Sequence, residues 1–253
     1  MFTSSICSGY ELVLGEMAHK RPFLDNLDAN ILPCGGLKPK SLVEISGASN
    51  TGKSLVLNQL IARCLPPTYF GGKYCDAILI DLGHKFSVQH FEKLVTRVIN
   101  ESGEKCTPAE NITVIHNCLN SVTALNCYTA EDFDLAFDIV EDILWENQNV
   151  SLLAIDTLDA FYWADTHKKL VRMTTHYNKL VTKLKQLCEK HNICCIYTVD
   201  INYIEPKTLY LMKQNASTLS MIDYKIKLKM LADGTRTLND RKIIVDKMGI
   251  HLT

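Results

Sequence analysis

An α/β fold is what this chain predicts: a mainly parallel sheet flanked by helices, with an antiparallel extension at its C-terminal end. Three observations predict it. Short apolar strand-like runs alternate with helix-spaced runs, two of those apolar runs end in aspartate, and a glycine-bearing loop stands between the first strand and the first helix. With 253 residues, 47% of them hydrophobic, the chain can bury a sizeable core as one domain. Charged residues make up 22% and the formal net charge is −1, which excludes bulk disorder. No run of about 18 apolar residues occurs. The first residues also lack a basic start followed by an apolar stretch, so a soluble intracellular protein with no membrane partner is expected.

The first element is a strand over Ser41–Ser46 (SLVEIS), and Leu55–Cys64 (LVLNQLIARC) is a helix. Between them Gly47–Ser54, GASNTGKS, fits G-x-x-x-x-G-K-[ST] at every fixed position in the strand–loop–helix context that a phosphate-binding loop requires. The backbone of Gly47, Ala48, Ser49, Asn50, Thr51 and Gly52 is expected to turn its N–H groups toward phosphate oxygens at a helix N-terminus. Lys53 adds a point charge at the β and γ phosphates and Ser54 a hydroxyl for Mg²⁺. ATP with Mg²⁺ is the expected ligand.

After a turn-rich Pro66–Gly72, Ala77–Ile80 is a strand closed by Asp81, and Ser87–Asn100 has helical spacing through Phe91, Leu94, Val95 and Val98. Ile112–Ile115 is expected as a short strand. Phe133–Trp145 is a helix, with apolar residues at 133, 136, 137, 140, 143 and 144. Leu152–Ile155 is a buried strand ending in Asp156, which is the pattern of the carboxylate that shares Mg²⁺ with the loop hydroxyl. A long helix from about His167 to His191 leads to a further strand, Ile193–Thr198. Tyr224–Met230, Lys242–Val245 and Ile250–Leu252, separated by Asp233-Gly234 and Met248-Gly249, are expected to form the antiparallel extension.

The 10 cysteines include no C-x-x-C pair, and Cys64, Cys118, Cys188, Cys194 and Cys195 fall inside apolar patterns, so reduced core thiols are expected. His176, Cys188, His191 and Cys194 match no common zinc spacing. Charge is unevenly spread: residues 167–253 carry 16 Lys or Arg against 7 Asp or Glu, and the preceding residues carry 11 against 21. The basic end fits either an anion-facing surface or an ordinary solvated helix face.

Gly35-Gly36 before SLVEISG and the phosphate loop resembles the opening of the RecA-like recombinase core. The run LLAIDTLDAFYWADT, with Phe161, Tyr162 and Trp163, resembles the eukaryotic recombinase paralogues of that family; the likeness spans roughly residues 35–200. It implies a RecA-like P-loop NTPase core over residues 37–253 and nuclear location. It also implies work in homologous-recombination repair, in a hetero-oligomeric complex with other recombinase paralogues, a D-type paralogue among them, on single-stranded or branched DNA. It places a DNA-binding loop at about Asp200–Ile222, where Tyr203, Lys207, Tyr210 and Lys213 offer stacking and backbone pairing, although an ordinary surface loop fits them equally. Residues 1–36 are too few for a separate core, and Leu12, Val13, Leu14 and Met17 suit a helix packed on the core or on a partner.

Two departures bear on mechanism. Active members of the family carry a glutamate two residues after the aspartate of the second strand; here the chain reads Asp81, Leu82, Gly83. A general base contributes about 10²- to 10⁴-fold, so slow hydrolysis at best is expected unless Asp81 or His84 substitutes. Where the family often has a phosphate-sensing glutamine, this chain reads Thr198, Val199, Asp200. A carboxylate repels an anion there unless Mg²⁺ or a lysine intervenes. An ATP-binding subunit with weak or absent hydrolysis is the expected function. The alternatives are an active DNA-stimulated ATPase and, more remotely, a P-loop small-molecule kinase, for which no Arg-rich lid segment is present.

Overall fold

The computed structural model describes residues 21–32, 36–104, 106–162, 173–201, 220–246 and 249–252. Nine strands among them form one sheet in the order β3-β2-β4-β5-β1-β6-β7-β8-β9. In chain order the elements are β1 (Leu42–Gly47), α1 (Lys53–Cys64), a 3₁₀ turn (Thr68–Phe70), β2 (Asp76–Asp81), α2 (Val88–Glu101), α3 (Pro108–Asn120), β3 (Val122–Asn126) and α4 (Ala130–Glu146). They continue with β4 (Val150–Asp156), α5 (Met173–His191), β5 (Cys194–Asp200), β6 (Tyr224–Met230), β7 (Arg236–Leu238), β8 (Arg241–Asp246) and β9 (Gly249–Leu252).

The six strands from β3 to β6 run parallel, and β6 to β9 run antiparallel. The central strands β4 and β5 are buried at every position, as near-continuous apolar runs require when helices cover both faces. One core layer lies under α1, α2 and α3 and takes in Leu24, Leu27, Ile31 and Leu32 from the N-terminal segment. The other lies under α4 and α5.

Two expectations are corrected. Ile112–Ile115 is helical, inside α3. Its β-branched run is overruled by a helix start immediately upstream, where the Thr107 side chain accepts from the Glu110 N–H, Glu110 returns the bond to the Thr107 N–H, and Pro108 fills the first helical position. The strand at that place in the chain is Val122–Asn126, an edge strand with no fully buried residue, whose Val122, Ala124 and Leu125 are broken by Thr123 and form no continuous apolar run. The second correction concerns Tyr224–Met230. It pairs parallel with β1 on one side and antiparallel with β7 on the other, so the parallel sheet extends one strand further than the turn signals suggest. Its alternation arises because Ile226 and Leu228 face the core while Lys227 and Lys229 face out.

The amino edge of the sheet is tied by one cation. Arg21 is buried and donates to His191 O (2.7 Å), Asn147 O (3.0 Å), Val150 O (2.6 Å) and Leu144 O (2.5 Å). It thereby satisfies terminal carbonyls of α4 and α5 together. No helix among the described residues is long and apolar enough to cross a membrane.

Candidate functional site

The carboxyl ends of the parallel strands form a polar row. Register places Asn126, Asp81 and Asp156 side by side across β3, β2 and β4, and Gly47 opposite Asp200 across β1 and β5. In open parallel sheets this edge, outside the strand ends, is where ligands bind.

The loop after β1 has the shape its sequence demands. Gly52 has φ +102°, a left-handed conformation that side chains avoid, and a Cβ at Gly47 would meet Leu228 O at 2.6 Å and Thr51 Oγ1 at 2.7 Å. The Thr51 hydroxyl braces the turn by donating to Ala48 O at 2.8 Å. The C-terminal extension backs the loop: Val245 and Ile250 lie against Gly52, and Arg236 reaches Asn50 O at 3.5 Å.

The start of α1 differs from that of its neighbours. Helices α2, α3 and α4 each begin with a Ser or Thr side chain accepting from a first-turn N–H, from Ser87, Thr107 and Thr129, whereas α1 has no side-chain cap and no acidic residue in its first turn. Donors at the start of α1 are thus left for an anion, and the helix dipole favours one. Lys53, at the same helix start, is buried and folds back on the loop, donating to Gly47 O (2.9 Å), Ala48 O (2.8 Å) and Asp200 Oδ2 (3.2 Å). The Ser49 hydroxyl donates to the same Asp200 oxygen at 2.7 Å. A lysine does intervene beside Asp200, and it is the phosphate-loop lysine itself. This cradle, with its uncapped helix and buried ammonium, fits a nucleotide polyphosphate.

Asp156 ends β4, separated from β1 by β5, so its backbone stands roughly 10 Å from the loop strand at about 4.8 Å per strand step. Its Oδ1 accepts from Thr198 Oγ1 at 2.5 Å, and its carbonyl accepts from the N–H groups of Leu82 (2.7 Å) and Gly83 (3.1 Å). Asp159, one turn on, accepts from Thr157 Oγ1 at 2.8 Å. Burial pushes its carboxyl above the usual range, and the nearby Asp200 charge adds to that.

The end of β2 is organised differently. Both oxygens of Asp81 are engaged by the loop after it, Oδ1 by the Gly83 N–H at 3.2 Å and Oδ2 by the Phe86 N–H at 2.9 Å. Its carboxylate shapes a turn. His84 is exposed and stacks on Tyr128, with ring centroids 4.3 Å apart. Behind the phosphate loop, Glu44 of β1 accepts from the Tyr177 hydroxyl, which lies 2.9 Å from that of Tyr197; burial, followed by the Glu44 charge, holds the Tyr177 phenol well above its ordinary range.

Residues 24–216 match the sequence profile of the Rad51 family, well over half of the chain. This chain belongs to the Rad51 family. It is a RecA-like recombinase paralogue related to XRCC2-type proteins. It is 26% identical to the DNA repair protein XRCC2 of Mus musculus over 124 residues, which are 49% of this chain and 42% of that protein. It is 22% identical to the XRCC2 homolog of Arabidopsis thaliana over 210 residues, 67% of this chain and 56% of that one. The DNA repair and recombination protein RadA of Halobacterium salinarum is 23% identical over 202 residues, 73% of this chain and 57% of RadA. The alignments thus span about half of the relatives' own lengths.

In this Rad51-family chain the structure brings Gly47–Ser54 together as one cradle and places Asp156 in the same edge row. Tyr203, Lys207, Tyr210 and Lys213, as well as Trp163 and Leu12–Met17, lie outside the described residues. Sequence reasoning missed Thr198 as the donor to Asp156 and Ser49 as a partner of Asp200. Their one visible signal is that the strand carrying Thr198 and Asp200 runs between those of the two motifs, which only the strand order reveals. The eight described cysteines are free, and all but Cys106 are buried; burial pushes the Cys118 and Cys194 thiols up to about 12. Among the described residues no group of three or more His, Cys, Asp or Glu is arranged to hold a metal ion.

Proposed function

We propose that this chain is an ATP-binding recombinase paralogue that acts as a subunit of a homologous-recombination DNA repair complex and hydrolyses ATP slowly or not at all. One contrast carries the proposal. The phosphate cradle is intact, with Lys53 at an uncapped helix start, while the end of β2 offers Gly83 where a base would stand and an Asp81 whose two oxygens already hold backbone N–H groups. Bound ATP would supply a polyphosphate that fills the donors of α1 and stabilises the folded subunit by an amount that grows with the ATP concentration relative to its Kd.

In this proposal the backbone of Gly47–Gly52 and Lys53 hold the phosphates, and Ser54 and Asp156 hold Mg²⁺. The partners are other recombinase paralogues, including a D-type paralogue, on single-stranded or branched DNA in the nucleus. The family membership and the names of the relatives, two of them DNA repair proteins of the XRCC2 type, support this.

The test is affinity capture of the tagged chain from nuclear extract with and without ATP, coupled to a turnover assay on single-stranded DNA. Recovery of recombinase paralogues with turnover near background is the expected result. No paralogue under ATP-replete conditions overturns the complex, and robust DNA-stimulated turnover lost on Lys53→Ala overturns the weak-hydrolysis part in favour of an active ATPase.

A further inference from the structure

The Lys53 ammonium has three N–H donors, and Gly47 O, Ala48 O and Asp200 Oδ2 take one each. The Asp200 oxygen in turn collects the Lys53 ammonium and the Ser49 hydroxyl. An anionic oxygen held jointly by the loop lysine and a loop hydroxyl is the arrangement such a loop offers to a phosphate oxygen. Asp200 is delivered to that position by the sheet. It is the last residue of β5, in register with Gly47 of β1, so the strand pairing that builds the loop also presents the carboxylate to it. Both side chains of the pair are nearly buried, at 9% and 11% exposure, where water screens the interaction little.

We propose that Asp200 is an internal phosphate mimic: it occupies Lys53 and Ser49, competes with the nucleotide for them, and thereby sets the affinity of the loop for polyphosphates. The inference rests on the nucleotide site proposed above. With Asp200 in place the loop's lysine is already neutralised, so an incoming polyphosphate must displace a carboxylate of its own sign. Selectivity comes from where the lysine reaches. It meets the β and γ phosphates, so competition acts on ADP and ATP and spares AMP.

The experiment is isothermal titration calorimetry of the full-length chain with ADP, ATP and AMP, each with Mg²⁺, for the wild type, Asp200→Asn and Asp200→Gln. Both variants keep polar groups in place of the carboxylate. The expected result is about tenfold or greater tightening for ADP and ATP, with AMP unchanged, and loss of that gain in a Lys53→Ala background. Thermal melts supply a second readout: without nucleotide Asp200→Asn melts below the wild type because Lys53 loses its one anionic acceptor among the three named, and saturating ADP narrows or reverses the gap. Equal or weaker ADP binding in both variants, with the wild type binding normally, overturns the competition and leaves the nucleotide site standing. Failure of wild type and variants alike to bind ADP or ATP at millimolar concentration overturns both.

Discussion

The loops that leave β1 and β2 start at the same edge of one parallel sheet and use hydrogen bonds in opposite ways. After β1 the chain enters a helix whose first turn has no side-chain cap, so donors are left over. After β2 the Asp81 carboxylate is used up, each oxygen holding a backbone N–H of the turn it precedes. The first arrangement is suited to receiving an anion, and the second is suited to fixing a loop. The uncapped helix start and the engaged carboxylate belong to separate strand ends, so either can change without the other.

The largest expected effect breaks the β1 side. Lys53→Ala should weaken ATP binding by about 10³-fold, some 4 kcal/mol, measured by calorimetry. A loss under tenfold would mean that the uncapped helix start does most of the holding. At the opposite edge, Arg21→Met supplies a contrast in which stability changes and the site does not. It strips a charged donor from four carbonyls and should destabilise the fold by about 3 kcal/mol or more. In a thermal melt that is about 6–12 °C at roughly 2–4 °C per kcal/mol, with ADP affinity in the folded protein unaltered.

Gly83→Glu tests the β2 side. The nearest atoms a Cβ there would meet belong to the aliphatic stem of Lys85, at 3.6 Å, an ordinary van der Waals contact. ATP turnover on single-stranded DNA should rise about 10- to 100-fold, the lower part of a general base's range because the surrounding loop is not built around it. Unchanged turnover would place the defect elsewhere along the edge row.

The smallest effect is a pH dependence remote from both loops. Burial holds the His191 imidazole below its ordinary range; Glu141 opposes this, and Lys190 and Arg21 reinforce it. The fold therefore favours the neutral ring, while the unfolded chain takes up a proton near pH 6.5. The contribution is complete above that value and is lost as pH falls from it toward the lowered folded value. The melting midpoint should drop between pH 7.5 and 5.5, and His191→Gln should shrink that drop.

How much of this was legible in the sequence differs between the same two regions. Gly47, Gly52 and Lys53 could be read directly because their chemistry is local: turn, lysine and helix start lie within eight residues. The expectation that Gly83 leaves the site without a base rests on residues just as local, Asp81 to Gly83. The role of Asp81 could not be read this way, since only the folded turn shows Phe86 N–H on its carboxylate. The partnership of Lys53 with Asp200 was hidden by a separation of 147 residues, and it exists only because β5 lies next to β1. In the fold, the helices with spaced apolar faces were plain. Three elements were not: β3, exposed at the edge; β7, only three residues long; and α3, whose Ile-Thr-Val-Ile run spells strand while its capping box enforces a helix.

The support that β6 to β9 give the phosphate loop has a consequence for the order in which the molecule is made. Gly47 is bounded by Leu228, and Gly52 by Val245 and Ile250, about two hundred residues downstream. During synthesis, at about 5–20 residues per second, Lys53 leaves the ribosome many seconds before these walls exist. Contacts so distant in sequence close late, because the loop between them must first lose its freedom. The earliest motif to be translated is therefore among the last to be finished. A nascent chain stopped short of β6 carries a complete phosphate-loop sequence without the packing that shapes it.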